Sequence, residues 1–457
     1  MEQELALFQQ LSKKLMQAEK QEPVLEPIEA DQLFDTLDLR LGEEGENEED
    51  FSRALEALVL NTPRTATHQF FNQLFGGRNG KAVLGDLLAV LLNNSMYTYK
   101  VAGPMVGVEK EIIRHMKNLL GYPATADGTI APGGSMTNLM AMIMGRDAHN
   151  EKIKSDGVSQ KMTLYTSNES HYSIPKNAAF MGVGRKQLRY VKSDKYGRMD
   201  VADLEAQIKA DLEKGNQPFF VNATAGTTVM GAFDPIEEIS AIAKKYNLWL
   251  HIDGAYCGAV LFSKKHKHLI KGAELADSFS MNAHKMLATP LTCSIIIAKN
   301  KKYLYDSFSN DADYLYQTDG DDYNLGKTSL QCGRRNDALK FWTLWKAVGT
   351  KGLGEMVDHQ FHLAEVARQY VENHPDYTVY SYPESVGICF NYKDIPADEL
   401  CNRLYEKGEL MVGFGQFKDE QFVRLVTVNA GNEEEDIKAF FEKMEAFAEE
   451  EILETSS

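Results

Sequence analysis

A chain of 457 residues, 43% apolar and 10% aromatic, is long enough for two or three domains and too apolar for wholesale disorder. A net charge of −17 disfavours nucleic acid and anionic membrane as partners. Five cysteines without close pairs argue against a disulfide framework and for a reducing compartment.

The opening Met1-Glu-Gln-Glu-Leu5 lacks the basic-then-apolar pattern of a signal peptide. No run approaches the roughly 20 apolar residues that span a bilayer, so a soluble, cytoplasmic protein is expected. Leu5, Leu7, Phe8, Leu11, Leu15 and Met16 recur at helical spacing and predict a helix over 4–19, with a second over 51–60. Between them, 42–50 is acidic and free of apolar residues, a solvated linker. Residues 1–60 thus read as a helical arm suited to packing on a partner subunit. From 61 to 350, apolar runs at 162–166, 219–223, 248–253, 278–281 and 293–298 alternate with helical stretches such as 200–214 and 235–246. That alternation predicts a large α/β domain with a mostly parallel sheet and its ligand at the carboxyl ends of the strands. From 351 to 457, a helix over 356–372, strand-like runs at 377–382 and 387–392, a helix over 397–407, the run 422–428 and a last helix bearing Ile437, Phe440, Phe441, Met444 and Phe447 predict a smaller α+β domain.

Within this frame two residues stand out. Lys285 follows His284 at the end of a buried-looking run that starts at Asp277, and Asp253 ends the run that starts at Leu248. Lysine is rarely buried unless its charge is paired or its chemistry is wanted. Pyridoxal 5′-phosphate (PLP) needs both groups, a lysine for a Schiff base and an acid on its ring nitrogen. Pro132-Gly-Gly-Ser135 precedes a helical stretch, where glycines and open N–H groups can hold phosphate, although a plain turn has the same look. Asn222-Ala-Thr-Ala-Gly-Thr-Thr228 follows a strand and offers hydroxyls to a ligand's edge, or merely a capped turn. His171 could stack on an aromatic ring or be structural. His266 and His268 sit in a lysine-rich turn without further ligands nearby, so no metal is expected. Arg424, in the apolar run 422–428, suits a carboxylate or an internal ion pair; Gln73 is a weaker candidate of the same kind.

The order of these signals resembles the PLP-dependent group II acidic amino acid decarboxylases, which act on glutamate, cysteine sulfinate or aspartate. The likeness runs through Phe70-Phe-Asn-Gln-Leu74, Asn94-Ser-Met-Tyr-Thr-Tyr99, Pro132-Gly-Gly134, Ser170-His-Tyr-Ser173, Asn222–Thr228, Gly231-Ala-Phe-Asp-Pro235, Leu248-Trp-Leu-His-Ile-Asp253, His284-Lys-Met286 and Gln331-Cys-Gly-Arg-Arg335. It implies a homodimer of the aspartate-aminotransferase-like, type I PLP fold, with active sites near the subunit interface. Lys285 would carry the cofactor, Asp253 would pair with its ring nitrogen, and Ala255 and His171 would cover its two faces. Gly134, Ser135, Asn282 and His284 would hold the phosphate, with Thr228 at the ring's polar edge. Arg424 and Gln73 would hold the substrate's α-carboxylate, and Tyr323 would align with a loop tyrosine that protonates the α-carbon. The segment from Tyr314 to Gly326 is about three residues shorter than in the family. Gly254, Tyr256-Cys257, Ala283 and Lys100 also depart from the usual residues. Phe75 and Ser95 resemble the cysteine sulfinate and aspartate type, and a bulky Phe75 would shorten the pocket. Aspartate is therefore the expected first substrate and cysteine sulfinate the second, with glutamate, giving γ-aminobutyrate, as the rival.

Overall fold

The computed structural model describes residues 1–309 and 321–453. It divides into two compact units, one of residues 78–364 and 380–387, the other of 1–77, 365–379 and 388–457. Among the described residues no helix is long and apolar enough to cross a membrane.

The larger unit is built on seven strands: β1 (Asp127–Ala131), β2 (Met162–Ser167), β3 (Leu188–Val191), β4 (Gln217–Thr224), β5 (Trp249–Gly254), β6 (Ser278–Asn282) and β7 (Ser294–Ala298). Their order is β1-β7-β6-β5-β4-β2-β3, which puts β5 at the centre. β7 runs antiparallel to both β1 and β6; the other pairs are parallel. Runs such as Ile295-Ile-Ile297, buried throughout, fit a sheet covered on both faces. The mostly parallel α/β sheet is the one the sequence predicts. β1 and β3 were not expected: β1 begins Asp-Gly, and β3 has four residues, so neither carries a strong strand signal.

Helix Gly134–His149 lies over this sheet. Met140, Met142 and Met144 pack with Leu164, Phe219, Phe220 and Trp249 in one core cluster. At Gly145 helix and sheet come close together: a Cβ built there would stand 2.8 Å from Phe220 and 3.0 Å from Trp249. That contact sets the height of the helix, and so the place of its first turn beside the strand ends.

The smaller unit has β8 (Tyr377–Val379), β9 (Gly387–Tyr392), β10 (Gly413–Phe417) and β11 (Glu420–Val426) in the order β10-β11-β9-β8. Helix Glu434–Phe447 buries the expected apolar face, and Tyr370 stacks on its Phe441 with ring centres 4.3 Å apart. This unit groups the chain otherwise than the three-part division at 60 and 350. Phe71 N donates to Met411 O at 2.8 Å, Val426 N donates to Phe71 O at 3.1 Å, and Val24, Leu25 and Phe70 form a small core with Met411. The first 77 residues are therefore part of the smaller unit, held by backbone bonds between residues hundreds apart. The helical segment expected over 356–372 begins earlier, as Ala338–Glu372, with a kink at Gly349 (φ 70°).

Replacing Gly145 with leucine would gain up to about 1 kcal/mol of helix propensity but force side-chain atoms into Phe220 and Trp249. Overpacking of this kind costs about 1–3 kcal/mol, so Gly145→Leu should lower the unfolding free energy. Urea denaturation is the check.

Candidate active site

The carboxyl ends of β5 and β6 and the first turn of helix Gly134–His149 border a cavity of about 210 Å³. Nine predicted residues line it: Gly134, Ser135, His171, Thr228 and Asp253, with Ala255, Asn282, His284 and Lys285. All come from the larger unit. The sheet brings them together because β5 and β6 are parallel neighbours, with Asp253 opposite Ser280.

Asp253 is buried, 4% exposed. Its Oδ2 accepts from Asn138 Nδ2 at 2.7 Å and its Oδ1 from Ala255 N at 3.0 Å. Both donors are neutral. Lys285 is half-buried in the turn after β6, its Nζ 5.9 Å from the centre of the Tyr256 ring. The Tyr256 hydroxyl donates to Val386 O at 2.9 Å, which fixes that ring. His284 Nδ1 lies 2.9 Å from Cys293 N and 3.1 Å from Cys293 O, which fixes the ring. Burial pushes His284 down to about 4, and the neighbouring Lys285 ammonium adds to the effect. His171 is lowered too, first by burial and then by Lys285, against the pull of Asp253. Its Nδ1 accepts from Ser173 N at 3.2 Å.

Other predicted residues are not among those that line the cavity. Ser95 Oγ accepts from Tyr97 N at 3.4 Å and Arg334 N at 3.3 Å and is not part of the cavity lining. Tyr323 is exposed, with its ring edge-on to Tyr99 at 5.9 Å, and Lys100 is exposed. Of the segment from Tyr314 to Gly326 that the sequence singles out, residues 314–320 lie outside the described residues. Gln73, Phe75 and Arg424 belong to the smaller unit. There Gln73 Nε2 donates to Asn72 Oδ1 at 3.3 Å, and Arg424 Nη2 donates to Asn72 O at 2.8 Å. His266, expected in a solvated turn, instead stacks on Phe361 with ring centres 3.9 Å apart.

Residues that sequence reasoning passed over matter here: Asn138, Ser173, His251 and Tyr256. A signal existed for two of them. Asn138 is four residues after Gly134 and shares its helix face; His251 is two before Asp253 and shares its strand face.

The lining suits a planar cofactor bearing a phosphate, an aldehyde and a basic ring nitrogen. Asn282 Oδ1 is buried without a hydrogen-bond partner. A Cβ at Gly134 would lie 3.0 Å from Asn282 Nδ2 and 3.1 Å from Ala255 Cβ, so glycine keeps that corner open. No side chain caps the first turn of the helix, whose leading N–H groups have no partners within the helix.

The chain is similar to known proteins along most of its length. The sequence profile of the pyridoxal-dependent decarboxylase conserved domain matches residues 31–393. The cysteine sulfinic acid decarboxylase of Rattus norvegicus is 36% identical over 433 residues, covering 89% of this chain and 87% of that protein. The acidic amino acid decarboxylase GADL1 of Mus musculus is 34% identical over 449 residues, covering 93% and 82%. The crystal structure of mouse CSAD superposes with a TM-score of 0.92 at 33% identity, covering 98% of this chain and 99% of that one.

The lowered imidazoles make stability depend on pH. Burial also takes His251 down to about 4. Between the ordinary value near 6.5 and 4, the unfolded chain binds protons at His251 and His284 that the folded chain refuses, so stability falls as pH falls. Asp234, pushed up to about 7 by burial, has the opposite sign: its proton is kept only by the folded state, and its contribution falls as pH rises from 3.8 to 7. A difference measurement separates them. In His284→Asn the slope of unfolding free energy between pH 4.5 and 6 should drop by up to about 1.4 kcal/mol per pH unit; an unchanged slope would count against a neutral, buried His284.

Proposed function

The chain belongs to the pyridoxal-dependent decarboxylase family, and on that premise we propose that this PLP-dependent enzyme removes the α-carboxyl group of small acidic L-amino acids, aspartate first and cysteine sulfinate second. Its fold is the aspartate-aminotransferase-like type I fold of PLP enzymes. The observation that carries the site assignment is the meeting of an amine, Lys285, and a neutrally solvated carboxylate, Asp253, in one cavity.

When bound, PLP supplies the electron sink for the pair released as the carbon–carboxylate bond breaks. The chain does the rest. Lys285 would offer the amine that attaches the cofactor. Asp253 would pair with the ring nitrogen and favour its protonated form. Gly134, Ser135, Asn282 and His284 would take the phosphate. His171 and Ala255 would cover the ring faces, and Thr228 would meet its polar edge. For the substrate, Arg424 and Gln73 are the candidates for the α-carboxylate, and Tyr323 for proton return to the α-carbon. Phe75 and Ser95 are the candidates for the side-chain end. The preference for aspartate rests on the bulk of Phe75, and one methylene is worth about 1–3 kcal/mol of discrimination.

We also propose that the enzyme is a cytoplasmic homodimer. Helix Gly80–Leu92 leaves Leu84, Leu88, Val90, Leu91 and Leu92 exposed in the single chain, an apolar surface of the sort that marks a protein contact.

Two experiments bear on this reading. Given equal concentrations of aspartate, cysteine sulfinate and glutamate, the cofactor-loaded enzyme should make mostly β-alanine and hypotaurine; a dominance of γ-aminobutyrate would replace aspartate with glutamate. Lys285→Ala should lose turnover and the visible absorbance of a lysine-bound cofactor, and substantial residual activity would refute the role of this amine.

A further inference from the structure

Asp253 serves a ring nitrogen only while it is ionised, yet both hydrogen bonds it receives come from uncharged groups. Behind it runs a buried chain of polar groups whose direction is fixed from the carboxylate. Asn138 Nδ2 faces Asp253 Oδ2 at 2.7 Å and Ser173 Oγ at 3.2 Å; the reverse amide orientation would set an oxygen against the carboxylate. Asn138 Oδ1 therefore faces His251 Nε2 at 3.1 Å and takes the ring proton there, with Ser280 Oγ further off at 3.5 Å. Nδ1 of the neutral ring is left to accept from Ser278 Oγ at 2.9 Å, and Ser278 Oγ accepts in turn from the Trp249 indole, which can only donate, also at 2.9 Å. His251, Ser278 and Asn138 are each 1% exposed or less.

We propose that Asn138 and His251 are positioning residues for the cofactor: the relay from Trp249 through Ser278, His251 and Asn138 delivers one oriented N–H to Asp253, holding its carboxylate charged and aimed into the cavity. This rests on the reading of Asp253 as the partner of the ring nitrogen. Each bond polarises the next in a medium of low dielectric, so a neutral imidazole two groups away strengthens the amide's grip on the anion. A charged His251 would have no lone pair for the Ser278 proton, so that one link would turn round while Nε2–H went on donating to Asn138. The same amide reaches His171 through Ser173, whose Oγ is 2.9 Å from His171 Nδ1, so one side chain orients both the acid and a ring-face imidazole.

The test compares His251→Phe, which keeps shape but loses the donor, with His251→Gln, whose Nε2 can replace it. PLP dissociation constants are measured by absorbance titration of each purified apoprotein. The Phe variant should bind at least about tenfold more weakly, and the Gln variant should recover most of that loss. Equal binding by wild type and the Phe variant, or no rescue by Gln, would overturn the inference alone. A wild-type protein that takes up no PLP would sink the reading of the site and this inference with it. Should the Phe variant not fold, the wild-type apoprotein labelled with 15N-histidine decides: His251 must show the neutral Nε2–H tautomer from pH 5.5 to 8, and an Nδ1–H or charged ring would overturn the relay.

Discussion

The ionised carboxylate of Asp253 is the constraint around which the larger unit is arranged. Taking such a group out of water costs several kcal/mol unless charge or hydrogen bonds compensate. The chain compensates in part, with Asn138 and Ala255 N, both uncharged. That leaves a carboxylate with an appetite for a cation, at the end of a central strand where ligands bind in open sheets. A protonated ring nitrogen would answer that need.

Charge near this carboxylate is kept scarce. His171, His251 and His284 are all shifted toward the neutral form by burial, so the imidazoles act as oriented dipoles. Three cations in this small, poorly screened space would compete for Asp253 and repel the Lys285 amine. Holding them neutral leaves Lys285 as the basic side chain among the cavity-lining residues.

Much of this was legible in the sequence, and the exceptions have physical causes. β2 and β4 to β7 were readable because each carries apolar residues, continuous or alternating, over the length of a strand. β10, Gly413-Phe-Gly-Gln-Phe417, was not, since two glycines and a glutamine mask it and only pairing with β11 makes it a strand. Lys285 and Asp253 were readable because a lysine and an acid at strand ends ask for a reason. Asn138 was legible only as a residue on the helix face of Gly134; its contact with Asp253, 115 positions away, was not. The grouping of residues 1–77 with the C-terminal sheet was hidden likewise, resting on bonds such as Phe71 to Met411. Gly254, a departure from the family's usual alanine, acquires a reason only in three dimensions: a Cβ there would stand 2.5 Å from Ser280 O.

The reversed strand β7 has a consequence for how the protein assembles. Because β7 runs back beside β6, the segment carrying His284 and Lys285 is the loop of a hairpin, closed by Ala283 N to Cys293 O at 2.9 Å. A hairpin closes over a short stretch of chain at little entropic cost and forms on a microsecond scale. The seat of the amine is thus a local structure. The clamp on the acid is a distant one, complete only when helix Gly134–His149 has docked across the sheet. The two sides of the cavity therefore differ in what holds them: the Lys285 side rests on contacts close in sequence, and the Asp253 side on a contact 115 residues long.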